Sequence, residues 1–127
     1  MNYSELTLRY FETAGGAKTD GGAGVLTGAD VHRGAAGSRA RGTWVQFDVQ
    51  VGSQGIRAAR FLAFGCPHTI AVSAWVAEHA VAAGPGGALP ESVQELSDRF
   101  EVPAEKRGRL LVIEDAWAAA LAAALQR

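Results

Sequence analysis

The stretch that decides the fold is Thr43-Trp-Val-Gln-Phe-Asp-Val-Gln-Val51, followed by Gly52-Ser-Gln-Gly55 and by Ile56-Arg-Ala-Ala-Arg-Phe-Leu-Ala-Phe64. Apolar and polar residues alternate in the first segment, which predicts a strand with one buried face. The last segment alternates less cleanly, because each face carries an arginine near the turn. Two strands joined by a four-residue turn predict an antiparallel hairpin.

Helices are predicted on both sides of this hairpin. Downstream, Pro67 suits the first position of a helix, and an apolar stripe extends that helix over 67–83. A shorter helix is predicted to end near Phe100, and a last one spans 109–126. Upstream, Ser4 can cap a short helix over 4–13. The order helix, strands, helices predicts an α+β fold rather than a parallel α/β fold.

The chain of 127 residues is predicted to form a single domain over 1–127. Residues 15–42 hold nine of the 16 glycines and few large apolar side chains. This segment is therefore predicted to be partly flexible, with one weak strand at 25–32.

Composition excludes several classes of protein. The net charge of −1 gives no basic footprint for nucleic acid. A single cysteine excludes an internal disulfide, and no apolar run is long enough for a transmembrane helix. The N-terminal segment lacks the apolar core of a signal peptide. We therefore expect a cytoplasmic protein that binds neither nucleic acid nor membrane.

Cys66 lies in the predicted strand-to-helix turn, a position that favours a reactive thiol. Backbone amides at a helix N-terminus carry partial positive charge, which stabilises a thiolate. A thiolate can bind metal or attack sulfur. The alternative is a small buried hydrophobic side chain, as most free cysteines are.

The residues around Cys66 resemble a known family. The run Ala59-Arg-Phe-Leu-Ala-Phe-Gly-Cys-Pro-His-Thr-Ile-Ala-Val-Ser-Ala-Trp-Val-Ala-Glu78 resembles the central motif of iron–sulfur cluster assembly scaffolds of the IscU and NifU N-terminal type. Tyr3-Ser4-Glu5 resembles the opening helix of that family, and Glu114-Asp115-Ala116 resembles its C-terminal helix. The resemblance implies a three-stranded antiparallel sheet with helices packed on one face. It also implies a non-enzymatic scaffold that builds a cluster on three cysteines and an aspartate, with sulfur from a cysteine desulfurase or other assembly proteins.

Three of the family's four ligand positions differ in this chain. Cys66 matches the middle cysteine, whereas the first cysteine and the aspartate fall at Arg41 and Thr43. The third cysteine falls at Arg109. Arginine stays protonated and cannot ligate iron. If the fold is kept, both arginines are predicted to face Cys66, lower its pKa and attract anions; the alternative is two solvated surface residues.

A partner-binding segment is also implied by the resemblance. The segment that a dedicated chaperone recognises in bacterial scaffolds falls on residues 102–106. Its first proline and its lysine are kept as Pro103 and Lys106, with Val102 in place of leucine.

Other residues are candidates for metal binding beside Cys66. His68 lies two residues away, and Asp30 with His32 could fold over it from the glycine-rich segment. A set of this kind suits zinc or mononuclear iron. The sequence thus predicts an iron–sulfur scaffold-like protein with Cys66 as the central thiol, and an iron–sulfur cluster, iron, zinc or no cofactor. The alternatives are a cluster-free module that binds a protein or an anion, and a persulfide sulfur relay.

Overall fold

The structure is a computed structural model that describes residues 3–13, 21–53, 55–80 and 89–125. The elements follow the predicted order of helix, strands and helices, with two strands before the hairpin. The elements are α1 (Glu5–Thr13), β1 (Gly21–Ala23), β2 (Val31–Ser38), β3 (Thr43–Gly52), β4 (Gly55–Phe64), α2 (Pro67–Ala80), α3 (Val93–Phe100), a 3-10 turn (Ala104–Lys106) and α4 (Arg107–Leu125).

The sheet has the strand order β1-β4-β3-β2. β2, β3 and β4 pair antiparallel, which confirms the three-stranded antiparallel sheet and the hairpin. The short β1 pairs parallel with the outer edge of β4 and was not predicted. Its sequence is Gly-Gly-Ala, which carries no alternating pattern, so only pairing with β4 defines it as a strand.

The strand predicted at 25–32 was wrong in position, because β2 spans Val31–Ser38. Its sequence is rich in glycine and alanine and shows no clear alternation. Gly34 explains this composition: it is buried, and a Cβ there would overlap the backbone of Ala119 and Ala120 in α4. Small residues thus let α4 lie directly on β2, which is a tertiary requirement that periodicity does not reveal.

α2 and α4 cover one face of the sheet and enclose the core, as predicted. Val45, Phe47 and Val49, which alternate along β3, are fully buried on this face. Phe47 meets Trp117 of α4 edge to face, with ring centroids 5.1 Å apart. The predicted face of β3 is therefore confirmed, and aromatic packing joins the sheet to α4.

The opposite face of β3 holds an ion pair between a buried carboxylate and an exposed arginine. The side chain of Asp48 is fully buried, and Arg33 on β2 donates to both of its carboxylate oxygens at 2.7 and 2.9 Å. The backbone N–H of Leu26 donates to the same carboxylate at 2.9 Å. Bidentate pairing stabilises the register in which Arg33 lies opposite Asp48.

The predicted N-terminal helix is confirmed, and Ser4 caps it. The Ser4 Oγ accepts the backbone N–H of Thr7 at 3.1 Å. Ser4 and the buried Thr7 also donate to the carbonyl oxygen of Phe100, at 3.0 and 3.1 Å. The two hydroxyls thereby join α1 to the end of α3.

The remaining helices differ from prediction only at their ends. The described part of α2 ends at Ala80, and residues 81–83 of the prediction lie outside the described residues. Ser92 caps α3 with a capping box to Glu95. α4 begins at Arg107, two residues before its predicted start. Among the described residues, no helix is long and apolar enough to cross a membrane.

Candidate functional site

Cys66 lies at the N-terminus of α2, directly after β4. Pro67 is the first helical residue, and the carbonyl of Cys66 accepts the backbone N–H of Ile70 at 3.2 Å. The backbone N–H groups of His68 and Thr69, in the first turn of α2, stabilise the charged form of the Cys66 thiol. Cys66 is thus the N-cap of α2, with sulfur in the place where a serine hydroxyl usually lies.

This position lowers the pKa of the Cys66 thiol. Partial burial raises the pKa, but the backbone N–H and the hydroxyl of Thr69, the N–H of His68 and the charge of Arg109 together outweigh it. The Thr69 hydroxyl lies 3.7 Å from the sulfur. The fold therefore shifts the pKa of the thiol in the direction that its place at a helix N-terminus predicts.

Gly65 allows Thr69 to approach the thiol. A Cβ at Gly65 would lie 2.9 Å from the Thr69 Oγ1, closer than such atoms can normally stand. Thr69 is fully buried and cannot move outward freely. Glycine before Cys66 is therefore required by the packing of the Thr69 side chain.

We expect alkylation of Cys66 by iodoacetamide to show a midpoint below that of a cysteine in an unfolded peptide. Thr69→Val should raise that midpoint, since it removes the hydroxyl that stabilises the thiolate and keeps the backbone N–H. The measurement is the alkylation rate as a function of pH. Ser73→Ala is the matched control, because the buried Ser73 hydroxyl has no partner in the described part of the chain. Equal midpoints for Thr69→Val and the unsubstituted protein would contradict the assignment.

His68 is buried, although a histidine in the first helical turn is usually exposed. The residue is 1% exposed, and the ring of Tyr3 covers it with centroids 4.7 Å apart. Neither ring nitrogen has a hydrogen-bond partner among the residues that the structure describes. Such unpaired polar atoms in a core are costly and call for an explanation.

Burial lowers the pKa of His68, and the charges of Lys106 and Arg109 lower it further. The folded state therefore binds fewer protons than the unfolded state below about pH 6.5. We expect the free energy of unfolding to fall as pH decreases from about 7 to 5, by at most about 1.4 kcal/mol per pH unit for this group.

Urea unfolding at several pH values tests this expectation. His68→Gln removes the titrating group and should show a shallower loss of stability over the same interval. If the variant and the original chain lose stability in parallel, His68 is not the group responsible.

Arg109, the third residue of α4, lies at the end of the sheet that carries Cys66, because Val112 in the next turn of α4 approaches Gly37, the partner of Trp44. Its charge acts on both Cys66 and His68. Its Nη1 is buried and has no hydrogen-bond partner within the described residues. The guanidinium thus supplies a cation to the site without ligating a metal.

Arg41 and Thr43 lie at the same end of the sheet as Cys66. The pair Ser38 and Thr43 closes the turn between β2 and β3, and Trp44 pairs with Phe64, two residues before Cys66. Arg41 is exposed in this turn, where its backbone N–H donates to Ser38. Arg41 thus lies at the end of the sheet that carries Cys66, but its side chain is exposed to solvent.

Asp30 and His32 are not brought to Cys66. Trp44 marks the end of β3 near Cys66, because it pairs with Phe64. His32 pairs with Val49, which lies five residues further along β3. At about 3.4 Å per residue, His32 is therefore roughly 17 Å from that end of the sheet. Asp30 accepts hydrogen bonds from Gln50 at the same distant end. The candidate ligand set of Cys66, His68, His32 and Asp30 is therefore wrong, because the sheet separates its members.

The segment at residues 102–106 contributes to the core as well as to the surface. Val102 is 6% exposed and exchanges hydrogen bonds with Ser97, so its side chain is not available to a partner. Pro103 is half-buried, and the Lys106 Nζ lies 5.4 Å from the centroid of the Tyr3 ring. Only Pro103 and Lys106 remain candidates for partner contact.

The residues around Cys66 do not fit a metal centre held by one chain. Across the described ranges, no three His, Cys, Asp or Glu side chains gather closely enough to hold a metal ion. An iron–sulfur cluster ordinarily takes four protein ligands, and arginine provides none. The site instead offers one activated thiol with a cation beside it.

Comparison with known sequences decides the family. The sequence model of the NifU-like N-terminal domain matches residues 18–127. The chain belongs to this family. The comparison with curated proteins gives no match.

Solved structures match this chain along nearly its whole length. One, from the thermophile Fervidobacterium islandicum, is described as an iron–sulfur cluster assembly scaffold protein for the SUF system. Its sequence is 14% identical to this chain, and the TM-score is 0.56 with 96% of each chain covered. The other is described as a hypothetical protein and is 20% identical, with a TM-score of 0.48 over 96% of this chain and 98% of that one. The first likeness confirms the NifU-type fold inferred from the sequence.

Two residues at the site, Tyr3 and Thr69, were not singled out from the sequence. Thr69 lies three residues after Cys66, which is the N3 position where a side chain can reach the N-cap. That spacing was a usable signal. Tyr3 reaches His68 only because α1 folds back on α2, and no local pattern indicates that contact.

Proposed function

We propose that this member of the NifU-like N-terminal domain family works in iron–sulfur cluster assembly as a scaffold-like protein, with Cys66 as the thiol that receives sulfur. The observation that carries the proposal is the activated thiol at the N-terminus of α2. Two backbone N–H groups and the charge of Arg109 favour its thiolate, and the thiolate is the nucleophile in sulfur chemistry.

The reaction is a transfer between two cysteines. The Cys66 thiolate attacks the outer sulfur of a persulfide on a donor protein, and a new S–S bond forms at Cys66. The S–S bond of the donor breaks, and its electron pair leaves with the donor cysteine as a thiolate. No external oxidant is required, because the donor persulfide already carries sulfur at the needed oxidation level. A cysteine desulfurase is the donor that the family resemblance implies.

The same geometry favours sulfur transfer over cluster ligation by one chain. Two of the family's cysteine positions hold Arg41 and Arg109, and the candidate ligands Asp30 and His32 lie at the far end of the sheet. The protein then acts in the cytoplasm as a carrier rather than an enzyme. Pro103 and Lys106 are proposed as contacts for an assembly partner.

Sulfur loading of the purified protein tests the proposal. The chain is incubated with a cysteine desulfurase and cysteine, and its intact mass is measured. A gain of one sulfur atom per chain, removed by a reducing agent, is the expected result. A chain that takes up no sulfur would overturn the proposal and leave a cluster-free binding module.

Anaerobic reconstitution with iron and sulfide separates sulfur transfer from cluster building. We expect a colourless protein without bound iron. Stoichiometric iron and sulfide with visible charge-transfer bands would contradict that expectation and show a cluster completed by ligands from outside this site.

A further inference from the structure

We infer that Arg109 binds the outer sulfur of a persulfide carried by Cys66 and retains the sulfur on this chain until transfer. This inference rests on the proposed function, since it requires that sulfur reaches Cys66. It adds a second residue to the site, in the position where the family resemblance implies a ligand cysteine. Arg109 is thus assigned as a binding residue for the persulfide rather than a remnant of a lost metal site.

An unpaired nitrogen in the Arg109 guanidinium is the first observation. Its Nη1 is buried and lacks a hydrogen-bond partner among the described residues. A buried donor left without an acceptor destabilises the fold, and more so when it is charged. Such a donor is explained when its acceptor arrives with the ligand, and an anion is the acceptor that a guanidinium binds best.

The second observation is the buried ring of His68, which lies in the same place. It is 1% exposed, and both of its nitrogens are unpaired within the described part of the chain. The start of α4 lies at this end of the sheet, because Val112 of α4 approaches Gly37, and Gly37 pairs with Trp44 beside Phe64. The charge of Arg109 lowers the pKa of both this ring and the Cys66 thiol, which agrees with that placement. A neutral imidazole carries one N–H donor, which can point to the same anion.

Persulfide chemistry explains why an anion site belongs here. A persulfide is a stronger acid than its parent thiol, so the sulfur on Cys66 carries negative charge on its outer atom. A cation beside that atom favours the anion, which resists attack by other thiolates more than the neutral persulfide does. Arg109 is therefore expected to prolong the life of the loaded state.

The test compares how long variants retain the sulfur. The full chain is loaded with inorganic polysulfide, whose sulfur–sulfur bond is cleaved by the Cys66 thiolate, and the excess is removed. Dithiothreitol is then added at neutral pH, and loss of the sulfur is followed by intact mass. We expect Arg109→Gln to lose sulfur about tenfold faster than the original chain, equivalent to about 1.4 kcal/mol.

Two further variants separate charge from structure. Arg109→Lys keeps the cation but not the fork of donors, and it should lie between the original chain and Arg109→Gln. Arg107→Gln is the matched control on the same helix, because Arg107 is exposed and donates to Ser97 at 3.1 Å. Its loss of sulfur should match that of the original chain.

The outcomes distinguish this inference from the proposed function. If the original chain loads and Arg109→Gln retains sulfur equally long, the role of Arg109 is overturned and sulfur transfer stands. If Arg107→Gln loses sulfur as fast as Arg109→Gln, general charge rather than this contact is responsible, and the inference is again overturned. If the original chain does not load from polysulfide or from a desulfurase, both are overturned.

Discussion

Cys66→Ser is expected to abolish sulfur uptake completely while leaving the fold intact. The chain has one cysteine, so no other thiol can accept the sulfur. A serine hydroxyl is far too weak an acid to form the required nucleophile near neutral pH. Serine is also among the preferred N-cap residues, so the N-terminus of α2 keeps its hydrogen bonds.

Intact mass after loading measures this effect, and chemical denaturation checks the fold. Cys66→Ala is the companion variant: it should lose sulfur uptake equally and also lose about 1 kcal/mol of stability, since it removes the cap. The pair separates the chemical role of the sulfur from its structural role. Sulfur that still attaches to Cys66→Ser would show that the acceptor lies elsewhere in the chain.

Gly34→Ala is expected to destabilise the fold strongly. A Cβ at Gly34 would collide with the backbone of Ala119 and Ala120 in α4. Backbone cannot rotate away as a side chain can, so β2 and α4 must separate. We expect a loss of about 3 kcal/mol or more, a large share of the roughly 5–15 kcal/mol that stabilises a typical domain.

Gly108→Ala is the matched control for this substitution. Gly108 lies in the first turn of α4, and a Cβ there meets no atom within 4 Å. Alanine is favoured over glycine in a helix by about 1 kcal/mol, so this variant should be neutral or more stable. Urea unfolding measures both variants. Equal stabilities for the two would show that β2 does not pack against α4 as described.

The architecture near the hairpin was predictable from local patterns. Alternation over 43–51 identified the buried face of β3, because side chains in a strand point to opposite faces in turn. Pro67 and the capping position of Ser4 marked two helix starts, since both act on adjacent backbone groups. From the sequence, β1 was missed and β2 was misplaced. Their small residues fit the close approach of β4 and α4, respectively, and show no strand periodicity.

The candidate site was predictable only in part. The thiol of Cys66 at a helix N-terminus is a local property, and the fold confirms its position. The burial of His68 is not local, since it depends on Tyr3 folding back from α1. The distance of His32 from Cys66 depends on strand register, which pairs His32 with Val49 at the other end of the sheet.

The sequence by itself therefore determined the α+β class, the hairpin, the long helices and the position of the one thiol. Each of these follows from contacts between residues close in the chain. Only the tertiary structure decided that Arg109 lies beside Cys66, that Arg41 stays at the surface and that Asp30 and His32 lie far away. These depend on how α4 and β2 pack on the sheet, and packing is set by many distant contacts at once.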